Sequence, residues 1–315
     1  MVLADGCVVE CDEHRHDDLF WALRGAGGGQ FGVVTSLTFT TVPAPTATSF
    51  HFVWPYAHAA AIVESWQDWA PAAPDELAAS LLMKVPGDVE LPPTVNVFGA
   101  MAGTESDMAQ LLGELTGRTG AEAISAVQRH TSYRETKRYL AELGDQLEEA
   151  SQGEPSQDGH PFSKSEFFRR RLPPEAIAAL VQNLADERIP GHARELDFTP
   201  WGGAYNRVSE AATAFVHRHE LFLLKHGLVL ADASSAGEAG ARGWLNRSWG
   251  LVHPWGSGGV YPNFPDLDLE DSGRAYYGTN YDRLVRVKRR YDPDGCFGFQ
   301  QSLPSRLQGR GAAAS

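Results

Sequence analysis

The sequence predicts an α+β fold in which a largely antiparallel sheet is flanked by helices. Three observations carry this prediction. Short alternating or β-branched apolar runs recur along the chain, apolar repeats at helical spacing fall between them, and the regular strand–helix–strand rhythm of a doubly wound parallel sheet is missing. With 315 residues and 43% apolar content, the chain has material for one large domain or two smaller ones.

The elements follow in order. Met1, Val2 and Leu3, then Asp5-Gly6, then Val8 and Val9 read as a hairpin, because Asp-Gly between apolar runs favours a tight turn. Its first strand calls for a neighbour on its far side. Residues 17–24 (DDLFWALR) predict a short helix with an acidic first turn. That helix runs into a glycine-rich loop at 25–32 and then a β-branched run at 33–39, read as a strand, with Pro43 and Pro45 closing the module. Phe50, Phe52 and Trp54 alternate as in a strand, whereas Ile62, Val63, Trp66 and Ala70 recur at helical spacing. Residues 81–85 and 95–101 read as two more strands. Thr104 can cap a helix carrying Met108, Leu111, Leu112 and Leu115.

Residues 144–160 are rich in Gly, Ser, Gln and Asp and read as an irregular insertion. Pro173 and Pro174 suit the first turn of a helix with Ile177, Leu180, Val181 and Leu184. Strands are predicted at 195–198, 214–217, 221–224 and 258–264, and helices at 235–249 and 272–290. Asp292-Pro293-Asp294-Gly295 stops the last helix, since Pro and Gly forbid its continuation. The tail from Arg310 to Ser315 reads as disordered.

A formal net charge of −13, without a basic face, speaks against nucleic acid or an anionic membrane as partner. No apolar run approaches the roughly 20 residues of a membrane span, and a cytoplasmic location is expected. Cys7, Cys11 and Cys296 are too few for a disulfide framework. Cys7 and Cys11 approach His14 and His16 in sequence, but four residues of strand separate side chains by roughly 13 Å. A zinc ion holds its ligands at about 2.0–2.3 Å, so no metal site is expected.

Gly27, Gly29 and Gly32 satisfy G-x-G-x-x-G. A nicotinamide-binding loop of that pattern must follow a strand and open a helix. Here a helix precedes the glycines and a strand follows, which removes that reading. Two readings stay open: a wide turn without a ligand, or backbone laid bare for close approach of a cofactor. Neither a nucleophile elbow nor a Walker loop is present.

The stretch from Asp18 to Gly25, the glycines, and Phe31-Gly32-Val33-Val34-Thr35-Ser36 closely resemble a signature of the berberine-bridge-enzyme-like flavin oxidases. These belong to the larger vanillyl-alcohol-oxidase, or PCMH-type, FAD fold. The far end agrees, with Tyr276-Tyr277-Gly278-Thr279-Asn280-Tyr281, then Lys288, Tyr291-Asp292-Pro293-Asp294, Phe297 and Gln301-Ser302. Between them, Gly202 to Val208 and Ala212 to Arg218 look like the family's substrate-domain sheet.

The resemblance implies the end of a PCMH-type FAD-binding domain over 1–45 and a substrate domain with a large antiparallel sheet over 46–265. A returning C-terminal segment over 266–304 and a disordered tail over 305–315 complete it. It implies FAD as cofactor, with Gly27, Gly28, Gly29, Gln30, Gly32, Val33, Asn280 and Tyr281 near it. Family members carry a preceding stretch with the covalent-attachment residues, which nothing in this sequence matches, so a second chain supplying that segment is one expectation. The implied reaction is oxidation of a C–OH or C–N group on a sugar, polyketide, alkaloid or similar small molecule, with hydride transfer to flavin N5 and reoxidation by oxygen. The alternatives are a non-catalytic fragment and one chain of a split flavoenzyme.

Several members place a tyrosine base on the strand facing the flavin, and Phe264 aligns there. Phe cannot accept a proton, which leaves Tyr205, His217, Arg218 and Tyr261 as candidates, each with plain packing as the competing role. On a regular strand Tyr261 faces away from Phe264, unless Pro262 distorts the strand. Trp201, Trp244, Trp249 and Trp255 either stack on a substrate ring or belong to the core.

Overall fold

The computed structural model describes residues 1–152, 160–231 and 234–305. The chain divides into two compact units. One is assembled from Met1–Thr41, Arg207–Arg218 and Gly259–Ser315, the other from Val42–Asn206 and His219–Gly258.

The second unit is built on a seven-stranded sheet of β1 (Thr46–Pro55), β2 (Leu77–Val85), β3 (Thr94–Ala102), β4 (Ser125–Ser132), β5 (His160–Phe168), β6 (His192–Pro200) and β7 (Phe222–Leu230). The strand order is β4-β1-β3-β2-β6-β7-β5, and every ladder is antiparallel. Alternation sends Phe50, Phe52 and Trp54 of β1, Leu81 and Met83 of β2, Val95 and Val97 of β3, and Phe222 and Leu224 of β7 into one core. Helices α2 (Ala59–Trp69), α3 (Glu105–Thr119), α5 (Pro174–Ala185) and α6 (Ser235–Gly250) contribute to that core.

These helices start where their sequences dictate. The Thr104 hydroxyl accepts from the Asp107 amide, and α3 stops at Gly120 in the left-handed region. The Ser234 hydroxyl caps α6 through the Gly237 amide, and Pro174 opens α5. Within α2, the buried Trp66 ring donates to the Ala79 carbonyl at 2.9 Å and ties the helix to β2.

The insertion expected at 144–160 is different in the structure. Residues up to Gln152 complete a long helix, α4 (Tyr133–Gln152), and 153–159 lie outside the described residues. Leu140, Leu143 and Leu147 already stand at helical spacing, but Gly144 and the polar composition mask them. The unexpected strand β4 is almost wholly polar, as suits the edge of the sheet.

The first unit contains α1 (Asp17–Leu23), α7 (Ser272–Tyr277) and α8 (Tyr281–Tyr291), with Leu19, Trp21, Phe31, Tyr276, Tyr277 and Leu284 in its core. The helix expected over 272–290 is broken, because Gly278 takes φ 47° and ψ −124°, closed to L-residues with a side chain. The expected strands at 33–39, 214–217 and 258–264 form no ladders among the described residues, and the last of them ends in a turn at 261–264. The predicted hairpin is present but short, with Leu3 donating to Cys7, Val9 to Met1 and Val2 bridging Val8, and Val33 bridges Val2 on the other side. The Ala214 and Phe215 amides donate to the carbonyls of Trp21 and Arg24, and the Val260 amide donates to Ala275. The segments 214–217 and 258–264 thus find helix ends instead of a neighbouring strand, and among the described residues 33–39 is held only through Val2.

Candidate functional site

In the first unit the glycines divide their tasks. A Cβ on Gly25 would lie 2.1 Å from the Phe215 nitrogen, and one on Gly32 would lie 2.4 Å from the Val2 carbonyl. Both are demanded by close backbone packing. Gly27 and Gly29 take φ of 77° and 73°. Gly28 differs: a Cβ there meets nothing within 4 Å, so the loop presents bare backbone.

The loop is pinned from behind. Gln30 is buried; its amide donates to the Tyr277 hydroxyl at 3.2 Å and accepts from the Leu303 amide at 3.0 Å. Lys288 is buried too, and its ammonium donates to the carbonyls of Gln30 (2.5 Å) and Phe297 (2.6 Å) and to Asp292 (2.6 Å). Burying an ion pair is costly unless its donors are met, and all three protons of Lys288 have acceptors here. The Asp292 carboxylate also accepts from the amides of Cys296 and Phe297.

The other sequence candidates of this unit are placed as follows. The Asn280 amide donates to the carbonyls of Glu210 and Thr213 at 2.8 and 3.2 Å, and braces the 207–218 segment. The Tyr281 ring lies parallel to Tyr277 at 6.4 Å. Val33 exchanges both backbone hydrogen bonds with Val2. Buried His217 meets the Tyr276 carbonyl through Nε2 at 3.1 Å, which makes that nitrogen the protonated one. Arg218 reaches the Phe215 carbonyl and the Thr213 hydroxyl, with its guanidinium 4.8 Å from the Phe215 ring centre.

Phe215 gathers these groups, with His217 at 5.4 Å and Tyr261 at 6.2 Å between ring centres. The 261–264 stretch is a turn closed by the Phe264 amide on the Tyr261 carbonyl, so the two rings meet edge-to-face at 5.4 Å. The regular-strand geometry, in which they face opposite ways, does not hold, because the chain turns at Pro262. Pro262 of the same turn comes within 3.4 Å of a Cβ built on Gly27. Tyr205 belongs to the other unit, where it stacks on Trp201 at 5.5 Å. Trp244 is core, and Trp249 stacks on His253 at 3.9 Å.

The second unit holds a charged constellation that no local pattern announces. On the sheet face opposite the apolar core, Lys225 of β7 pairs with Glu195 of β6 at 2.9 Å, and Lys84 of β2 stands 4.0 Å from the same carboxylate. Lys84 also donates to the Leu147 carbonyl of α4. Gly227 makes room for this pairing, since a Cβ there would lie 2.6 Å from the Glu195 side chain. Asp197 sits between Leu82 and Lys225 in the ladders, and Lys225 faces Ser165 in turn. Burial pushes the Asp197 carboxyl up to about 6, aided by Glu195 and opposed by the charges of Lys225 and Lys84. The sequence signal was an Asp and a Glu two residues apart on a predicted strand, which is too common to mark a site. Only the register of three strands assembles it.

A family model described as "Berberine and berberine like" matches residues 260–304. An FAD-linked oxidoreductase of Bacillus subtilis (strain 168) is 31% identical over 96% of this chain and 64% of its own length. A monolignol oxidoreductase of Arabidopsis thaliana is 24% identical, covering 93% of this chain and 57% of that protein. The solved structure of berberine bridge enzyme from Eschscholzia californica superposes with a TM-score of 0.81 at 22% identity, over 96% of this chain and 64% of the enzyme. The chain thus spans less than two thirds of the length of these relatives. Family match, relatives and fold agree on one assignment: the chain corresponds to the C-terminal part of the berberine-bridge-enzyme-like FAD-linked oxidoreductases that it matches.

Proposed function

We propose that this chain forms the substrate-handling part of an FAD-dependent oxidoreductase acting on a C–OH or C–N group of a sugar, polyketide, alkaloid or similar small molecule. The observation that carries the reading is the glycine loop, whose backbone is bare at Gly28 and whose rear is fixed by Gln30 and Lys288. Such a loop fits a flat or phosphorylated cofactor that must approach main chain closely. FAD, when bound, supplies the acceptor for two electrons, which oxygen removes afterwards. The protein's share is to position the substrate and take its proton. Gly27, Gly28 and Gly29 would hold the cofactor by main chain, and Arg218 would hold an oxygen function. His217 and Tyr261, gathered around Phe215, are the titratable groups beside the loop.

The test is a visible spectrum of the purified chain with added FAD. A perturbed flavin band that weakens at least tenfold in titration with Gly28→Ala supports the reading. That substitution adds a methyl where no protein atom lies within 4 Å, so it leaves the fold intact. A chain that ignores FAD under all conditions overturns it for this polypeptide. A second reading is favoured by the exposed apolar side chains of Val33, Leu37 and Phe39. In that reading a further polypeptide segment, of this chain or another, covers the run and completes the flavin site.

A further inference from the structure

The helix-covered side of the second unit carries an open groove of about 350 Å³ at the C-terminal ends of α5 and α6. Both helices pack on the apolar core, so the groove lies on the other side of the sheet from Glu195 and Lys225. Ala179 and Leu251 give it an apolar lining, and Asn183, Asp186, Glu187 and Arg247 a polar one.

Arg247 is exposed yet anchored. Among the described residues its guanidinium engages the protein only through Nε, which donates to Asn183 Oδ1 at 2.9 Å. The two terminal nitrogens are left for another acceptor. The buried Nδ2 of Asn183 has no partner among the described residues. The amide is thus turned toward Arg247 while its own donors go unmet, an arrangement that calls for a reason. The Asn183 carbonyl accepts from the Trp244 indole at 3.2 Å, which ties the same residue to α6 a second time.

Negative charge is fixed just as firmly at the end of α5. Glu187 follows the helix with φ 45°, where glycine is the usual residue and a side chain brings strain. Buried Arg194 holds this turn, donating to the carbonyls of Leu184, Asp186 and Glu187 at 3.4, 2.6 and 2.9 Å. The Glu187 amide donates to Asp186 Oδ1 at 3.0 Å. The charges of Arg247, Glu187 and Asp186 all act on Arg194, so they share one neighbourhood. Among the described residues no ion pair joins Arg247 to either carboxylate. Exposed charges usually drift in solvent and gain little from each other. Here both signs are held in place, in one groove, without cancelling. The C-terminal end of α5 adds its own attraction for a cation.

We propose that this groove binds a free α-amino acid as its zwitterion, with the carboxylate on the Arg247 fork, the ammonium on Asp186 and Glu187, and an apolar side chain against Ala179 and Leu251. A plain anion meets the two carboxylates and a plain amine meets Arg247, so each is disfavoured. A zwitterion satisfies both ends, and a planar carboxylate suits the two terminal nitrogens of the guanidinium.

L-Valine is the probe, titrated into the full chain without FAD and followed by ligand-detected NMR. Saturable binding is expected with a dissociation constant of about 1 mM. Isobutylamine and 3-methylbutanoate each lack one of the two charges and should bind about tenfold more weakly. Arg247→Gln should weaken valine by about the same factor. A second variant joins Asp186→Asn, whose Oδ1 still accepts from residue 187, with Glu187→Gly, which takes φ 45° without strain. Its melting temperature should hold or rise while valine affinity falls about tenfold. If it melts lower instead, the Arg247→Gln titration decides. No saturable valine binding, equal binding of either single-charge analogue, or undiminished affinity in Arg247→Gln would each overturn the proposal. Binding here needs no flavin, so none of these outcomes bears on the oxidoreductase reading.

Discussion

His226 lies in the middle of β7 with its ring fully buried against α6. Its Nδ1 meets the Ser248 hydroxyl at 2.9 Å, and Nε2 has no partner among the described residues. Burial, with a smaller contribution from the Lys164 charge, pushes its pKa down to about 3. The folded state therefore keeps this ring neutral, whereas the unfolded chain takes up a proton below about 6.5. The stability it confers is complete above pH 6.5 and is lost as pH falls toward 3. Asp197 has the opposite sign: its raised pKa favours the folded state at low pH, and that advantage is lost as pH rises from about 4 to about 6. His226→Gln should gain stability relative to the unmodified chain by about 1.4 kcal/mol per pH unit as pH drops from 6 to 4. Urea unfolding at three pH values measures this, and parallel pH profiles of the two proteins would refute it.

At the scale of elements, the break between α7 and α8 is set by one residue. Gly278 leaves α7 at φ 47° and ψ −124°, and Asn280 then braces the 207–218 segment. Gly278→Ala should cost roughly 1–3 kcal/mol from backbone strain, read as a fall in melting temperature, whereas Gly113→Ala inside α3 should raise it slightly. No change at Gly278 would mean that the turn can be rebuilt. Elements were legible where their signal is local. Trp66 and its apolar neighbours, the Thr104 cap and Pro174 each mark a helix without help from the rest of the chain. The segments 33–39, 214–217 and 258–264 have strand-like composition, but whether a strand forms depends on a partner strand, which local sequence does not specify. The same limit applies to the sites. The glycine loop is one contiguous motif and is visible in the sequence itself. Lys84, Glu195, Asp197 and Lys225 become neighbours only through register, so nothing in their own surroundings marks them.

For the molecule as a whole, the exposed apolar run is the feature with the broadest effect. Leu37 and Phe39 are 71% and 74% exposed, with Val33, Val34 and Val42 close by in sequence. A surface of this kind favours association. Sedimentation velocity over a tenfold range of concentration should show self-association, reduced by Leu37→Ser with Phe39→Ser. A monomer at every concentration would count against it.

The first unit is also discontinuous, drawing on the beginning, the middle and the end of the chain. On the ribosome, Leu19, Trp21 and Phe31 emerge long before Tyr276, Tyr277 and Leu284, with which they share a core. Leu19, Trp21 and Phe31 must therefore wait, with their side chains uncovered, until the stretch around 276–284 has been made. The sheet of the second unit can close meanwhile, because its last strand ends at Leu230. A nascent chain stalled before residue 260 would thus carry a folded sheet and an open leading segment. Chaperone dependence during synthesis should be concentrated on the segment Met1–Thr41.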